Sequence, residues 1–241
     1  MSNPISNIDV FILCGGQGTR LRKITRDNPK PMVEMGKIPF LDILINYFSS
    51  FGFRKFILGI GYKAQVIKSY YSSKEKVGLK VVFSQEKRPL GTGGAVKNAL
   101  KLVKSNPFIV VNGDSFCKFN PTEFLNFHNA NKALASLLLR EEPNGKEFGQ
   151  VVIDQSCRII EFKEKDISIR KSLVNAGVYV FDKRIFTLMP DTQEFSLELD
   201  LFPTLIGKDF FGYEGVDFFI DIGTPKRYFE AKRYFANKTN G

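Results

Sequence analysis

Between residues 8 and 114 short apolar runs alternate with stretches whose apolar residues recur at helical spacing, and this alternation constrains the fold more than any other feature. "IDVFIL" (8–13) reads as a buried strand. "FLDILINYFSSFG" (40–52) repeats apolar residues at Phe40, Leu44, Tyr47, Phe48 and Phe51, with Gly52 closing the helix. "FRKFILGI" (53–60) is a second strand, "AQVIKSYY" (64–71) a second helix and "LKVVFS" (79–84) a third strand. A helix over "GAVKNALKLVK" (94–104) then precedes the strand "PFIVVNGD" (107–114). Such an order predicts an α/β fold of three layers around a mostly parallel sheet, with ligands at the carboxyl ends of the strands.

Beyond residue 130 the texture changes. "ALASLLLR", "GQVVID", "RIIEF" and "NAGVYVF" are short apolar or alternating runs, expected to extend the same sheet with mixed or antiparallel strands. "DFFGYEG" and "DFFIDIG" lead into a closing helix over 224–235, with Thr224 at its N-cap and Pro225 at its first position. No repeat, low-complexity tract or linker divides the chain, so a single domain over 1–241 is expected.

Composition excludes several classes of function. The formal net charge of +10 favours a polyanionic ligand, but the 35 basic residues are spread without a block of five or six, which argues against nucleic acid. The three cysteines, Cys14, Cys117 and Cys157, lie far apart without a CxxC pair, so neither a disulfide framework nor a structural zinc site is expected. A reducing, cytoplasmic setting follows. No run reaches the length of a membrane span, and the first is too short for a signal peptide. His128 is the only histidine, which removes histidine-based triads and multi-histidine metal sites; it is expected to face solvent on a helix.

The first strand runs into "LCGGQGTRLRKITRDNPKP". Glycines after a buried strand allow a tight turn that aims several N–H groups at one point, a geometry suited to phosphate oxygens. Thr19 adds a hydroxyl donor, and Arg20 and Lys30 add positive charge, with Pro29 and Pro31 expected to hold the Lys30 backbone extended. The order G-G-x-G-T-R-L fits neither the dinucleotide nor the P-loop fingerprint.

"GGQGTRL" followed by "NPKPM" and "PFL" resembles the signature of the sugar-1-phosphate nucleotidylyltransferases, and "GTGGA" (91–95), "NGD" (112–114), "EFKEK" (161–165), "NAGVY" (175–179) and "DIGTP" (221–225) match that family in order. The resemblance implies a Rossmann-like sandwich with a mixed, mainly parallel sheet. It also implies attack by a sugar 1-phosphate oxygen on the α-phosphorus of a nucleoside triphosphate, giving a nucleotide-sugar and pyrophosphate. No general base is required, because a phosphate monoester with a second pKa of about 6 is already largely dianionic at neutral pH. Catalysis reduces to alignment and charge neutralisation.

By the same resemblance, Leu13, Gly15, Gly16, Gly18 and Thr19 hold the nucleotide, Arg20 and Lys30 offset charge on the departing pyrophosphate, and Gln85, Gly91 and Thr92 read the base. Asp114 and Asp221 bind Mg²⁺, whose hard-oxygen preference suits two carboxylates plus phosphates. The alternative for each aspartate is an Asx turn or a helix cap. Glu164 binds sugar hydroxyls and Lys165 the sugar phosphate, although Asp166 stands where the family has proline, which leaves Glu161 as an alternative to Glu164. Asn175, Gly177 and Gly149 complete the sugar side.

"FSLELDLFPTL" (195–205), "FFIDIGTP" (218–225) and the "CGGQGTRL" start most resemble the branch of the family that makes GDP-heptose from GTP and D-glycero-α-D-manno-heptose 1-phosphate. The chain stops after the closing helix, without the acetyltransferase β-helix or long dimerisation extension of larger relatives, which narrows the branch. A monomer or homodimer is expected. The alternatives are another pairing, such as mannose with GTP or glucose with dTTP, UTP or CTP, and a catalytically silent nucleotide-sugar sensor.

Overall fold

Strands and helices follow one another as the sequence predicts through the first half of the chain. The computed structural model describes residues 4–25, 28–73, 78–142, 149–164 and 172–238. Its strands are β1 (Asp9–Leu13), β2 (Glu34–Met35), β3 (Ile38–Pro39), β4 (Lys55–Ile60), β5 (Lys80–Gln85), β6 (Phe108–Asn112), β7 (Ser115–Lys118), β8 (Ala135–Glu142), β9 (Gly149–Ile153), β10 (Ile159–Glu164), β11 (Ser172–Phe181), β12 (Phe210–Glu214) and β13 (Phe218–Asp221). The helices are α1 (Arg22–Thr25), α2 (Phe40–Ser50), α3 (Ala64–Ser73), α4 (Gly91–Asn98), α5 (Pro121–Ala130), α6 (Phe202–Leu205) and α7 (Pro225–Lys238).

Among the described residues nine strands form one sheet, in which β5, β4, β1 and β6 are neighbours and parallel. β11 joins β6 antiparallel and carries β8 and the β9–β10 hairpin, and β12 closes on β8. The sheet alternates its apolar residues between two cores. Val10, Ile12, Phe56, Leu58, Ile109 and Val111 pack toward α2, α3, α5 and α7. Phe11, Ile57, Phe108 and Val110 pack toward α4 and α6. α2 and α3 share one face because each closes a crossover running the same way, and α4 takes the other because the chain then reverses to reach the far side of β1. That reversal opens a crevice between the carboxyl ends of β1 and β6, where open α/β sheets bind ligands.

The second half extends this sheet as expected, but "SFCK" and "FFID" leave it and pair with each other as β7 and β13. α4 starts three residues before the predicted helix and stops at Asn98, after which single turns carry the chain to Val103. Glycine-rich α4 is set by packing rather than by capping: the N–H groups of Gly93 and Gly94 both donate to the Phe195 carbonyl, at 3.0 and 3.2 Å.

His128 corrects an expectation. It lies on α5 but is buried, with Nδ1 at 2.9 Å from the Ser136 hydroxyl of β8. It falls on the same helical face as Phe124 and Leu125, and the neighbouring asparagines concealed that periodicity. Burial lowers its pKa to about 4 from the ordinary value near 6.5. The unfolded chain therefore binds a proton that the folded one refuses, so stability present above pH 6.5 is lost as pH falls toward 4. Denaturant titrations are expected to give about 2 kcal/mol less stability at pH 5 than at pH 7 from this group, and His128→Gln should remove that difference.

Candidate active site

The loop that leaves β1 and the turn that leaves β6 meet at the crevice, where the Gly113 N–H donates to the Leu13 carbonyl at 3.0 Å. Two cavities open there. The larger, about 510 Å³, is bordered by Gly15 and Gly16, by Glu86 and Arg88 after β5, by Gly91 and Thr92 of α4, and by Asn112 and Asp114. The smaller, about 230 Å³, is bordered by Gly18, Thr19, Arg20, Lys30 and Pro31. Leu13, Gly16 and Asp114 belong to both walls, so the two form one continuous cleft. Nine of the ten residues expected around the nucleotide and its leaving group thus share one site, together with Asp114.

Gly18 adopts a left-handed conformation, φ +58°, and a Cβ there would stand 3.1 Å from the Lys30 Cβ. A side chain at this position would be strained and would push Lys30 aside. Lys30 itself is not extended: Pro29 is, and Lys30 opens a single 3₁₀ turn through Met32. The turn's hydrogen bonds come from the N–H groups of Met32 and Val33, so the missing N–H of Pro31 costs nothing. Lys30 Nζ rests 2.6 Å from Asp114 Oδ2, with the lysine side chain 10% exposed and the aspartate 45%. Arg20 is exposed at the rim. Behind the loop Cys14 is fully buried, and desolvation, with Asp114 and Glu86 nearby, pushes its thiol pKa far up; it is a packed core residue rather than a nucleophile.

Asp221 ends β13, opposite Ser115 in the β7–β13 pair, and the Ile222 N–H donates to the Asp114 carbonyl at 2.9 Å, so the two aspartates are neighbours. Asp221 Oδ1 accepts from the Gly223 N–H at 2.6 Å in an Asx turn, and Oδ2 lies 3.3 Å from Arg227. The Asx-turn alternative is therefore realised, while a carboxylate keeps further lone pairs for a cation. Among the described residues no group of three or more acidic, histidine or cysteine side chains that could hold a metal ion gathers.

The structure does not bring every expected residue to the cleft. Gln85 turns away, its Oε1 accepting from Lys68 Nζ at 2.6 Å, and the next residue, Glu86, faces the cavity instead. Burial raises the Glu86 pKa, partly offset by the backbone N–H of Leu90. The period-2 alternation of β5 carried the signal for this exchange. Gly149 pairs with Glu164 across β9 and β10 outside the cleft lining. Lys165 lies outside the described residues, as does the side chain of Glu164. Asn175 Oδ1 accepts from the Gly177 N–H at 2.9 Å, fixing the turn that carries both.

Sequence reasoning missed the wall formed by residues 193–198. A Cβ at Gly91 would meet the Phe195 carbonyl at 2.5 Å, one at Gly93 its ring at 2.2 Å and one at Gly94 the Gln193 carbonyl at 2.1 Å. The glycines of "GTGGA" are thus required by this close approach. Thr92 Oγ1 donates to Glu198 Oε2 at 2.7 Å and accepts from the Leu197 N–H at 2.8 Å. Glu198 also accepts from Ser196 and Tyr179, and Asn175 Nδ2 donates to the Tyr179 hydroxyl, so one carboxylate ties α4 to β11.

A glycine loop, two cations and two aspartates on adjoining turns at the switch point of an α/β sheet suit a phosphate-handling transferase, and the chain belongs to the Nucleotidyl transferase family, whose sequence model matches residues 9–238. Among individual relatives it is 36% identical over 222 residues to the D-glycero-alpha-D-manno-heptose 1-phosphate guanylyltransferase of Campylobacter jejuni, covering 92% of this chain and 97% of that one. It is 33% identical to the mannose-1-phosphate guanylyltransferase of Mycobacterium tuberculosis, covering 92% of this chain but only 62% of that longer protein. The crystal structure of HddC from Yersinia pseudotuberculosis complexed with GMP-PN superposes with a TM-score of 0.82 at 35% identity, over 95% of this chain and 99% of that one. The expected family and α/β fold are borne out. Among the described residues no helix is long and apolar enough to cross a membrane.

Proposed function

We propose that this chain, acting as a single domain, transfers GMP from GTP to D-glycero-α-D-manno-heptose 1-phosphate, forming GDP-heptose and pyrophosphate. The observation that carries this reading is the continuous cleft in which the Gly15–Arg20 loop, Lys30 and Asp114 share a wall with Glu86 and Asn112. Near full-length similarity to a heptose 1-phosphate guanylyltransferase supports the sugar and the base. Glu86 offers a carboxylate suited to the N–H donors on the guanine edge.

The loop's N–H groups and Thr19 hold the triphosphate, and Arg20 at the rim draws charge from the leaving pyrophosphate. Lys30 exchanges its ion pair with Asp114 for a phosphate oxygen when nucleotide enters. The sugar phosphate needs no base, only alignment by Asn175, Gly177, Gly149, Glu164 and Lys165. Asp114 and Asp221 fit Mg²⁺ by their hard-oxygen donors and their hydrogen-bonded loops. The ion would neutralise phosphate charge when bound.

Similarity to mannose-1-phosphate guanylyltransferases favours a second reading, GTP with mannose 1-phosphate. Pyrophosphate release with Mg²⁺ across GTP, ATP, UTP, CTP and dTTP against heptose, mannose, glucose and N-acetylglucosamine 1-phosphates separates the two. Turnover is expected to concentrate on GTP with heptose 1-phosphate. Faster turnover with mannose 1-phosphate would transfer the assignment to the second reading, turnover confined to another base would sink both, and nucleotide binding without any release would mark a sensor.

A further inference from the structure

Asn112 closes β6 directly before Gly113 and Asp114 and borders the cleft, and its side-chain oxygen is buried with no hydrogen-bond partner among the described residues. Buried acceptors are nearly always paired, so an orphan at the edge of a cavity points to a donor brought by a ligand. The amide is also held in place. Gly177 lies against it with φ +77°, and a Cβ on Gly177 would stand 2.6 Å from Asn112 Nδ2. The turn beneath is formed where the β11–β8 register shifts between Asn175 and Tyr179, an irregularity of the kind that re-aims backbone near active sites. Asn175 fixes that turn through the Gly177 N–H, and Tyr179 and Glu198 hold Asn175 in turn. The amide that carries this acceptor is therefore braced where β6 meets the cleft.

We propose that Asn112 Oδ1 accepts a hydrogen bond from a ring hydroxyl of a bound substrate and so contributes to selection of that substrate. The hydroxyl belongs either to the ribose of the nucleotide or to the sugar 1-phosphate, the two polyols that this cleft would hold. The inference rests on the function proposed above.

The test is a cycle between enzyme and substrate. Wild type, Asn112→Leu and the smaller Asn112→Ser are compared using GTP, 2′-deoxy-GTP and 3′-deoxy-GTP, and using 2-deoxy and 3-deoxy forms of the sugar 1-phosphate that the wild type accepts. With the full substrates Asn112→Leu is expected to lose on the order of 10- to 100-fold in kcat/KM. That loss should vanish with the one analogue lacking the partnered hydroxyl, a ribose analogue identifying the nucleotide and a sugar analogue the second substrate. A merely structural role would lower turnover equally for every analogue, and that result would overturn the proposal. Affinity for GTP, its deoxy analogues and GDP-heptose is measured by calorimetry alongside. A wild type silent in turnover then refutes the functional reading, while presence or absence of the same coupling in affinity still decides the role of Asn112.

Discussion

Asp114→Ala is expected to lower kcat/KM by about 10³-fold, equivalent to about 4 kcal/mol of barrier. Asp114 borders both parts of the cleft, is joined to the Asp221 loop through the Ile222 N–H, and holds Lys30 at 2.6 Å. Removing it deletes one of the two proposed cation ligands and frees Lys30 from its aimed position. Some stability goes too, because the Lys30 side chain is only 10% exposed and loses its ion-pair partner. Asp114 is 45% exposed, so solvent screens much of that loss, which should stay near 1 kcal/mol. Lys30→Met in the same chain removes the stranded charge. The double variant should therefore recover most of the melting temperature and none of the activity. A rate within threefold of wild type for Asp114→Ala would remove Asp114 from the mechanism.

Arg20→Ala is the cleaner of the two large effects. The side chain sits exposed at the mouth of the smaller cavity, next to Thr19 and across from Lys30. In the proposed reaction its guanidinium meets charge that builds on the leaving pyrophosphate, and such transition-state arginines are worth about 10³ in kcat. Because the residue is exposed, the melting temperature should move by no more than about 2 °C. Arg20→Lys should recover only part of the rate, since an ammonium lacks the two-pronged donor geometry. The same loss in KM alone, with kcat kept, would mean that Arg20 binds the ground state and does not act on the leaving group.

Much of this site was legible because it follows from strand ends. The apolar runs at 8–13 and 107–112 announced buried parallel strands, and the polar segments that follow them had to meet wherever the sheet reversed. Side chains that meet only through packing were not legible. Nothing local in "FSLELD" signals that Phe195 covers the glycines of α4, or that Glu198 gathers Thr92, Ser196 and Tyr179. His128 was misjudged because Asn126 and Asn129 stand close to it, while the helical phase set by Phe124 and Leu125 turns it inward. Gln85 and Glu86 differ by one residue on a strand, and a one-residue step reverses the face. Lys30 was expected to be extended because the residue before a proline avoids helical backbone, yet one 3₁₀ turn needs no N–H from Pro31.

The proposed function stands or falls on attack at the α-phosphorus of GTP within this cleft. The most direct measurement incubates the protein with Mg²⁺, D-glycero-α-D-manno-heptose 1-phosphate and GTP labelled either at the α- or at the γ-phosphorus, and follows each label. Attack at the α-phosphorus carries the α-label into GDP-heptose and releases the γ-label as pyrophosphate, in equal amounts. Gamma-label released as orthophosphate, or α-label remaining in GDP without a sugar, would place the bond cleavage elsewhere and contradict it.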